Sequence, residues 1–170
     1  QLARRARATV IATTRGDDRL ARLADLGHDI GAHFVIDDRS DVAAAVMECT
    51  GGRGADLVVD PVGGTILESS IAALAYRGRI SWVGNAAAAD TAPNLWRLME
   101  KNGQLNVLFF GMEQARQPER TRALVAELLA RAGTGELVAI IDSTFPLAEA
   151  AAAHQHAEAN PTFGRVVLVP

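Results

Sequence analysis

The chain has 170 residues, 49% of them hydrophobic, and a formal net charge of −3. That length holds one domain with a full core, and that charge gives no reason to expect a nucleic-acid partner. No apolar run approaches the ~20 residues of a membrane-spanning helix and no signal peptide is visible, so no membrane association is expected. The single Cys49 cannot form an internal disulfide or a cysteine-cluster zinc site, and it suits a reducing compartment, here the cytoplasm.

Gln1 to Ala6 reads as the last turns of a helix, with Arg4, Arg5 and Arg7 on a solvated face. Thr9 to Thr13 is a β-branched strand. Asp17 or Asp18 caps a helix whose Leu20, Leu23 and Leu26 lie three apart, ended by Gly27. His33 to Ile36 is a strand. Ser40 caps the next helix, with Val42, Val46 and a buried Cys49 on one face, and Gly51-Gly52 stops it. Leu57 to Asp60 is a strand. Thr65 and Glu68 form a capping-box pair for a helix striped by Ile66, Ile71 and Leu74 and ended by Gly78. Ile80 to Val83 is a strand. Pro93 suits the first turn of a short helix closed near Asn102-Gly103. Leu105 to Phe110 is a strand. Pro118 opens a long helix with Leu124, Leu128 and Leu129 inside, and Val138 to Ile141 is a further candidate strand. Pro146 opens an Ala-rich helix to about Asn160, and Val166 to Val169 closes the series as a strand.

Three of these strands end in glycine-bearing elbows. They are Asp60-Pro61-Val62-Gly63-Gly64, Trp82-Val83-Gly84-Asn85 and Phe109-Phe110-Gly111. Ligands of open α/β sheets meet backbone groups at the carboxyl ends of the strands, so three such elbows in succession point to a nucleotide-type crevice. Strands alternating with helices of this length predict an α/β fold, a Rossmann-type doubly wound parallel sheet with helices on both faces. One element of that fold is not found. No G-x-G-x-x-G occurs, and Gly133-Thr134-Gly135 follows a helix and reads as a turn. The expectation is a single truncated nucleotide-binding domain over residues 1–170, lacking its first strand, its Gly-rich phosphate loop and most of the helix behind that loop.

With that series in place, the chain resembles the C-terminal part of the medium-chain dehydrogenase/reductase family, most closely its quinone oxidoreductase-like branch. The carriers include Ala8 to Thr13, Val35-Ile36-Asp37, Thr50 to Asp56, Asp60 to Gly64, Gly78-Arg79, Val83-Gly84, Phe145-Pro146-Leu147, Ala150 to His154 and Phe163 to Leu168. Each piece alone is weak; their order and spacing are specific, and they run through nearly the whole chain. The chain departs from the family at Leu26 to Ala32, where it carries a few extra residues. The resemblance implies hydride transfer between a nicotinamide cofactor and a quinone, enone or carbonyl substrate. It also implies an N-terminal substrate domain absent from these residues.

Cofactor choice is argued from charge. An NAD-preferring site ends its second strand in an acid that accepts the ribose hydroxyls. Here that end is Thr14-Arg15, with Arg19 four residues on, and arginine forks match a 2′-phosphate. The implied cofactor is therefore NADPH, bound weakly or not at all by these residues alone. By the resemblance, Asp38 or Arg39 adds a contact after the next strand. The alternative is that Arg15, Arg19 and Arg39 are merely solvated. Val62, Gly63, Gly84 and Asn85 would line the cofactor path through backbone atoms, and Phe110 and Gly111 would lie near the nicotinamide. Arg165 matches a basic family position near the cofactor, though a surface arginine is an equal reading.

His154 and His156 point to different helix faces, which makes them a poor metal pair; His154 reads as a packed helix histidine. No catalytic triad and no metal site is found, and members of the branch without zinc need no protein acid–base triad in this half. A competing function is a non-catalytic remnant acting as a dimerisation or interaction module. A methyltransferase is disfavoured by Phe145-Pro146-Leu147 and Phe163-Gly164-Arg165. By family analogy the strand 105–110 lies at a sheet edge. It is apolar and uncharged, and pairing with its own copy about a two-fold axis is expected to bury it in a homodimer.

Overall fold

A computed structural model describes residues 1–26, 31–88, 90, 92–159 and 162–170. In chain order the elements are α1 (Leu2–Arg5), β1 (Ile11–Thr14), α2 (Asp17–Asp25), β2 (Phe34–Asp37), α3 (Val42–Cys49) and β3 (Ala55–Asp60). They continue with α4 (Gly64–Ala73), β4 (Leu74–Trp82), α5 (Trp96–Glu100), β5 (Gln104–Val107), α6 (Phe110–Arg116) and α7 (Pro118–Gly133). The last are β6 (Ile141–Pro146), a 3₁₀ turn (Leu147–Glu149), α8 (Ala150–Ala159) and β7 (Arg165–Val169). The fold is α/β with parallel sheets, as expected. Its strands hydrogen-bond in three sets, β1-β2, β3-β4-β5 and β6-β7. The described strands pair within these sets. Two compact units result, 1–35 with 124–170, and 36–123.

The second unit is built on β3-β4-β5. Its parallel register sets Asp60 opposite Trp82, and Trp82 opposite Val107, so the carboxyl ends of all three strands are level. Leu67 and Ile71 of α4 bury against Leu74 and Ile80 of β4, each at most 1% exposed. Burial of each such side chain contributes roughly 1.5–3 kcal/mol. Lys101 locks the far end of this core by donating Nζ to the carbonyls of Ala72 and Leu74. Burial, then the neighbouring Arg97, hold its ammonium below the ordinary lysine value.

Several boundaries differ from the sequence expectation for local reasons. Ser40 does not cap α3: its hydroxyl donates to the Asp37 carbonyl, and Asp41 accepts from the Ala44 N–H as the cap instead. The Thr65–Glu68 capping box is not formed. The N-cap lies two residues earlier, at Gly63 (φ 75°), with no side-chain cap, and the helix starts at Gly64. Gly78 does not end a helix; it lies inside β4, where a Cβ would sit 2.7 Å from the Leu74 side chain and 2.8 Å from the Ala55 carbonyl. Leu74 thus belongs to the strand. Cys49 is half-buried, at the last position of α3.

The apolar run 105–110 is divided rather than a single strand. Pairing continues only to Leu108, whose N–H donates to the Trp82 carbonyl; Phe109 then turns to become the N-cap of α6. A short apolar run carries no periodicity that separates strand from buried helix.

In the first unit, β1 starts two residues later than expected and runs to Thr14. Val138 is not in a strand, because the Gln1 side-chain amide takes both its N–H and its carbonyl. Pro146 is both the last residue of β6 and the N-cap of the 3₁₀ turn that runs directly into α8. In α7, which runs from one unit into the other, Thr121 is the buried residue, while Leu124 and Leu129 are 51% and 66% exposed. The helix stops expected at Gly27 and Asn160, and most of the inserted stretch 26–32, lie outside the described residues.

Candidate functional site

The elbow after β3 is assembled from the backbone outward. Asp60, 2% exposed, turns its carboxylate back into the elbow. Its Oδ1 accepts from the N–H groups of Val62 (2.8 Å) and Gly63 (2.9 Å), and its Oδ2 accepts from the Ser70 hydroxyl (3.1 Å) of α4. The Val62 and Gly63 N–H groups are thereby satisfied, although the helix start has no side-chain cap bond. The carboxylate also lies by the positive end of the helix dipole, which favours its charge.

The loop after β4 is bonded to this elbow residue by residue. Val83 N–H donates to the Asp60 carbonyl (2.8 Å), Ala86 N–H to that of Pro61 (3.2 Å), and Ala87 N–H to that of Val62 (2.9 Å). The glycines are required by this approach. A Cβ on Gly84 would stand 2.7 Å from the Pro61 carbonyl oxygen, and one on Gly63 would stand 2.6 Å from the Asn85 side-chain oxygen. The structure thus brings Val62, Gly63, Gly84 and Asn85 together as one wall at the carboxyl ends of β3 and β4. Sequence reasoning named these four but missed Asp60 and Ser70, which hold them.

Phe110 and Gly111 are placed differently from expectation. They are the first two residues of α6, not a loop elbow. Phe110 is 51% exposed, and Phe109 beside it 70%. Arg39 lies just past β2 and is held by its own neighbour. Its backbone N–H and its Nε donate to Asp37 Oδ1, both at 3.0 Å, and Nε reaches Oδ2 at 2.9 Å. A shallow cleft lined by Glu68, Ile71, Asn94 and Arg97 includes none of the expected site residues.

The remaining candidates belong to the first unit. Thr14 is the last residue of β1, and no acid follows until Asp17 in the first turn of α2. Arg19 is half-buried, and its Nε has no hydrogen-bond partner among the described residues. Arg165 opens β7, and its N–H donates to the Ile140 carbonyl (2.9 Å). Just before it, Gly164 has φ 112° and no room for a Cβ, which would meet that same carbonyl.

A cluster that sequence did not reveal joins β6, α8 and the run into β7. Asp142 Oδ2 lies 2.9 Å from His156 Nε2, and its Oδ1 accepts from the Phe163 N–H at 2.8 Å. Those two bonds, the histidine's first, hold the Asp142 carboxyl below the ordinary value of 3.8. Arg22 stacks over the Phe163 ring at 4.7 Å. His154, expected to be packed, is exposed instead. Among the described residues no group of three or more His, Cys, Asp or Glu is placed to hold a metal. Among the same residues no helix is long and apolar enough to cross a membrane.

Level parallel strands with a glycine wall at their carboxyl ends define a nucleotide-type α/β domain. The chain belongs to the zinc-binding dehydrogenase family, whose model matches residues 30–168, and is of the medium-chain dehydrogenase/reductase, quinone oxidoreductase-like kind. It is 33% identical over 99% of its length to a 2-haloacrylate reductase of a Burkholderia species, covering 50% of that protein. It is 36% identical over 86% of its length to a quinone oxidoreductase of Pseudomonas aeruginosa, covering 46%. Among solved structures, a mycobacterial protein complexed with NADPH superposes on 99% of the chain with a TM-score of 0.80 at 31% identity, over 52% of that protein. The chain thus spans about half the length of the relatives it matches.

Proposed function

We propose that this chain is the cofactor-binding part of an NADPH-dependent oxidoreductase that reduces a quinone, enone or other carbonyl substrate. In this reading residues 1–170 form a single truncated nucleotide-binding domain of a cytoplasmic protein, and the substrate domain lies outside them. The observation that carries the cofactor assignment is the end of β1. Thr14 stands where an NAD site places an acid, and Arg19 four residues beyond Arg15 carries a buried Nε that no described residue satisfies. A guanidinium with unused donors suits a phosphate.

The residues present also fit the rest of a dinucleotide. Gly63 and Gly84 let the two loops pack closely at the ends of β3 and β4, and a dinucleotide would lie along the wall so formed. Arg39, paired here with Asp37, and Arg165 at the start of β7 are proposed as further basic contacts to the cofactor, each on the family resemblance alone. Phe110 and Gly111 would border the nicotinamide from the start of α6. When bound, the nicotinamide supplies the hydride, and zinc has no role in this reading. The likeness to a 2-haloacrylate reductase and a quinone oxidoreductase supports a conjugated acceptor as substrate. Within these 170 residues no G-x-G-x-x-G motif supplies a phosphate loop. The chain alone is therefore expected to give no sustained NADPH oxidation with quinone or enone. Steady oxidation by the purified chain, with contaminants excluded, would contradict that.

A second reading is a dimerisation module, favoured by the apolar end of β5. Val107 and Phe109 are 69% and 70% exposed. We propose that two copies pair through the strand edge at 104–107 and the apolar residues up to Phe110. The two readings are compatible, since a homodimer built there leaves the glycine wall in place.

A further inference from the structure

We infer that Asp60, together with Ser70, is the positioning residue of the glycine wall, holding it in its ligand-ready shape before any ligand arrives. The inference rests on the reading of that wall as a cofactor surface. Asp60 is the most buried charged side chain of the second unit's core, yet every acceptor it offers is turned to the elbow or to α4. A buried carboxylate is costly unless hydrogen bonds compensate it, and here three donors do so. Two of those donors are the backbone N–H groups of Val62 and Gly63, wall residues themselves. Fixing them fixes the Pro61 and Val62 carbonyls, which in turn accept from Ala86 and Ala87. One side chain thereby sets the shape of both loops. Without it, the elbow would lose its anchor while β3, β4 and β5 kept their ladder.

The test is amide hydrogen exchange on the 170-residue chain without ligand, comparing elbow amides (Val62, Gly63, Ala86, Ala87) with ladder amides of β4. Asp60→Ala is expected to accelerate elbow exchange at least tenfold and β4 exchange far less. Asp60→Asn keeps an oxygen for Val62 and Gly63 and can donate to the Ser70 hydroxyl, so it is expected to restore most of the protection. Should Asp60→Ala fail to fold, Ser70→Ala carries the same test, with about a threefold acceleration confined to the elbow. Elbow exchange that is unchanged in these variants, or that rises no more than in β4, overturns the inference. So does an Asp60→Asn variant as fast as Asp60→Ala. Titration with NADPH is a separate arm. If wild type binds no NADPH in any context while the elbow still depends on Asp60, the cofactor reading fails and the positioning role stands.

Discussion

The carboxyl ends of β3 and β4 and the carboxyl end of β5 lie level on one sheet, yet they are finished differently. At β3 and β4 the N–H groups of Val62, Gly63, Val83, Ala86 and Ala87 all have partners, a buried carboxylate sits behind the elbow, and two glycines leave no space for a side chain. At β5 the chain leaves Val107, Phe109 and Phe110 in solvent. The first region is tied together by its own residues, although Leu57 and Val59 further back on β3 are 56% and 62% exposed. On the proposed reading, the apolar end of β5 is the part that a second copy covers. Under the function proposed above, the wall would be rigid before its ligand arrives, whereas the β5 end would be covered only when a second copy binds.

That contrast can be broken by mutation. The largest loss is expected in the core that both regions share: Ile80→Ala, at a fully buried position, should lower unfolding free energy by about 2–5 kcal/mol in urea titration. Next comes the wall. Gly84→Val forces a Cβ against the Pro61 carbonyl, which is backbone and cannot swing away, so a loss of about 2–3 kcal/mol is expected. A stability equal to wild type would mean that the two loops are not held together. At β5 the expectation reverses. Val107→Lys should change monomer stability by no more than about 0.5 kcal/mol, yet shift a dimer to monomer in ultracentrifugation. A wild-type chain that stays monomeric at high micromolar concentration removes the contact-surface half of the comparison.

The smallest effect lies in the first unit. Asp142 has a carboxyl held below its ordinary 3.8, so its bonds contribute stability that is complete above that pH and is lost as pH falls below it. Acid unfolding should therefore lose part of its slope below about pH 4 in Asp142→Asn. An unchanged acid limb would show that the His156 and Phe163 bonds add nothing.

The sequence analysis read well wherever a backbone demand selects a residue type. The elbows after β3 and β4 were legible because only glycine tolerates φ 75° at position 63 or the approach of Gly84 to Pro61. It read poorly where side chains compete for one backbone group. Ser40 lost the α3 cap to Asp41 because the Asp37 carbonyl took its hydroxyl, and Val138 lost its place in a strand to the Gln1 amide 137 residues away. Asp60 opens the most informative motif, yet its role is not legible in sequence: Val62 and Gly63 lie close along the chain, but Ser70 reaches its carboxylate only once α4 folds back. The run 105–110 reads as one strand because its apolar composition fits a strand throughout, and nothing in it signals the turn at Phe109 into the exposed start of α6. The division of the strands into three sheets has no local sequence signal at all.

The most direct test of the central claim uses a longer protein in which this chain is joined to an amino-terminal half like that of its relatives. Equilibrium binding of NADPH and NADH would be measured for wild type and for Arg19→Glu. The account predicts that wild type binds NADPH at least tenfold more tightly than NADH, and that Arg19→Glu abolishes most of that preference while leaving NADH binding nearly unchanged. Equal affinity of wild type for the two cofactors, or an equal loss of both in the variant, would contradict it.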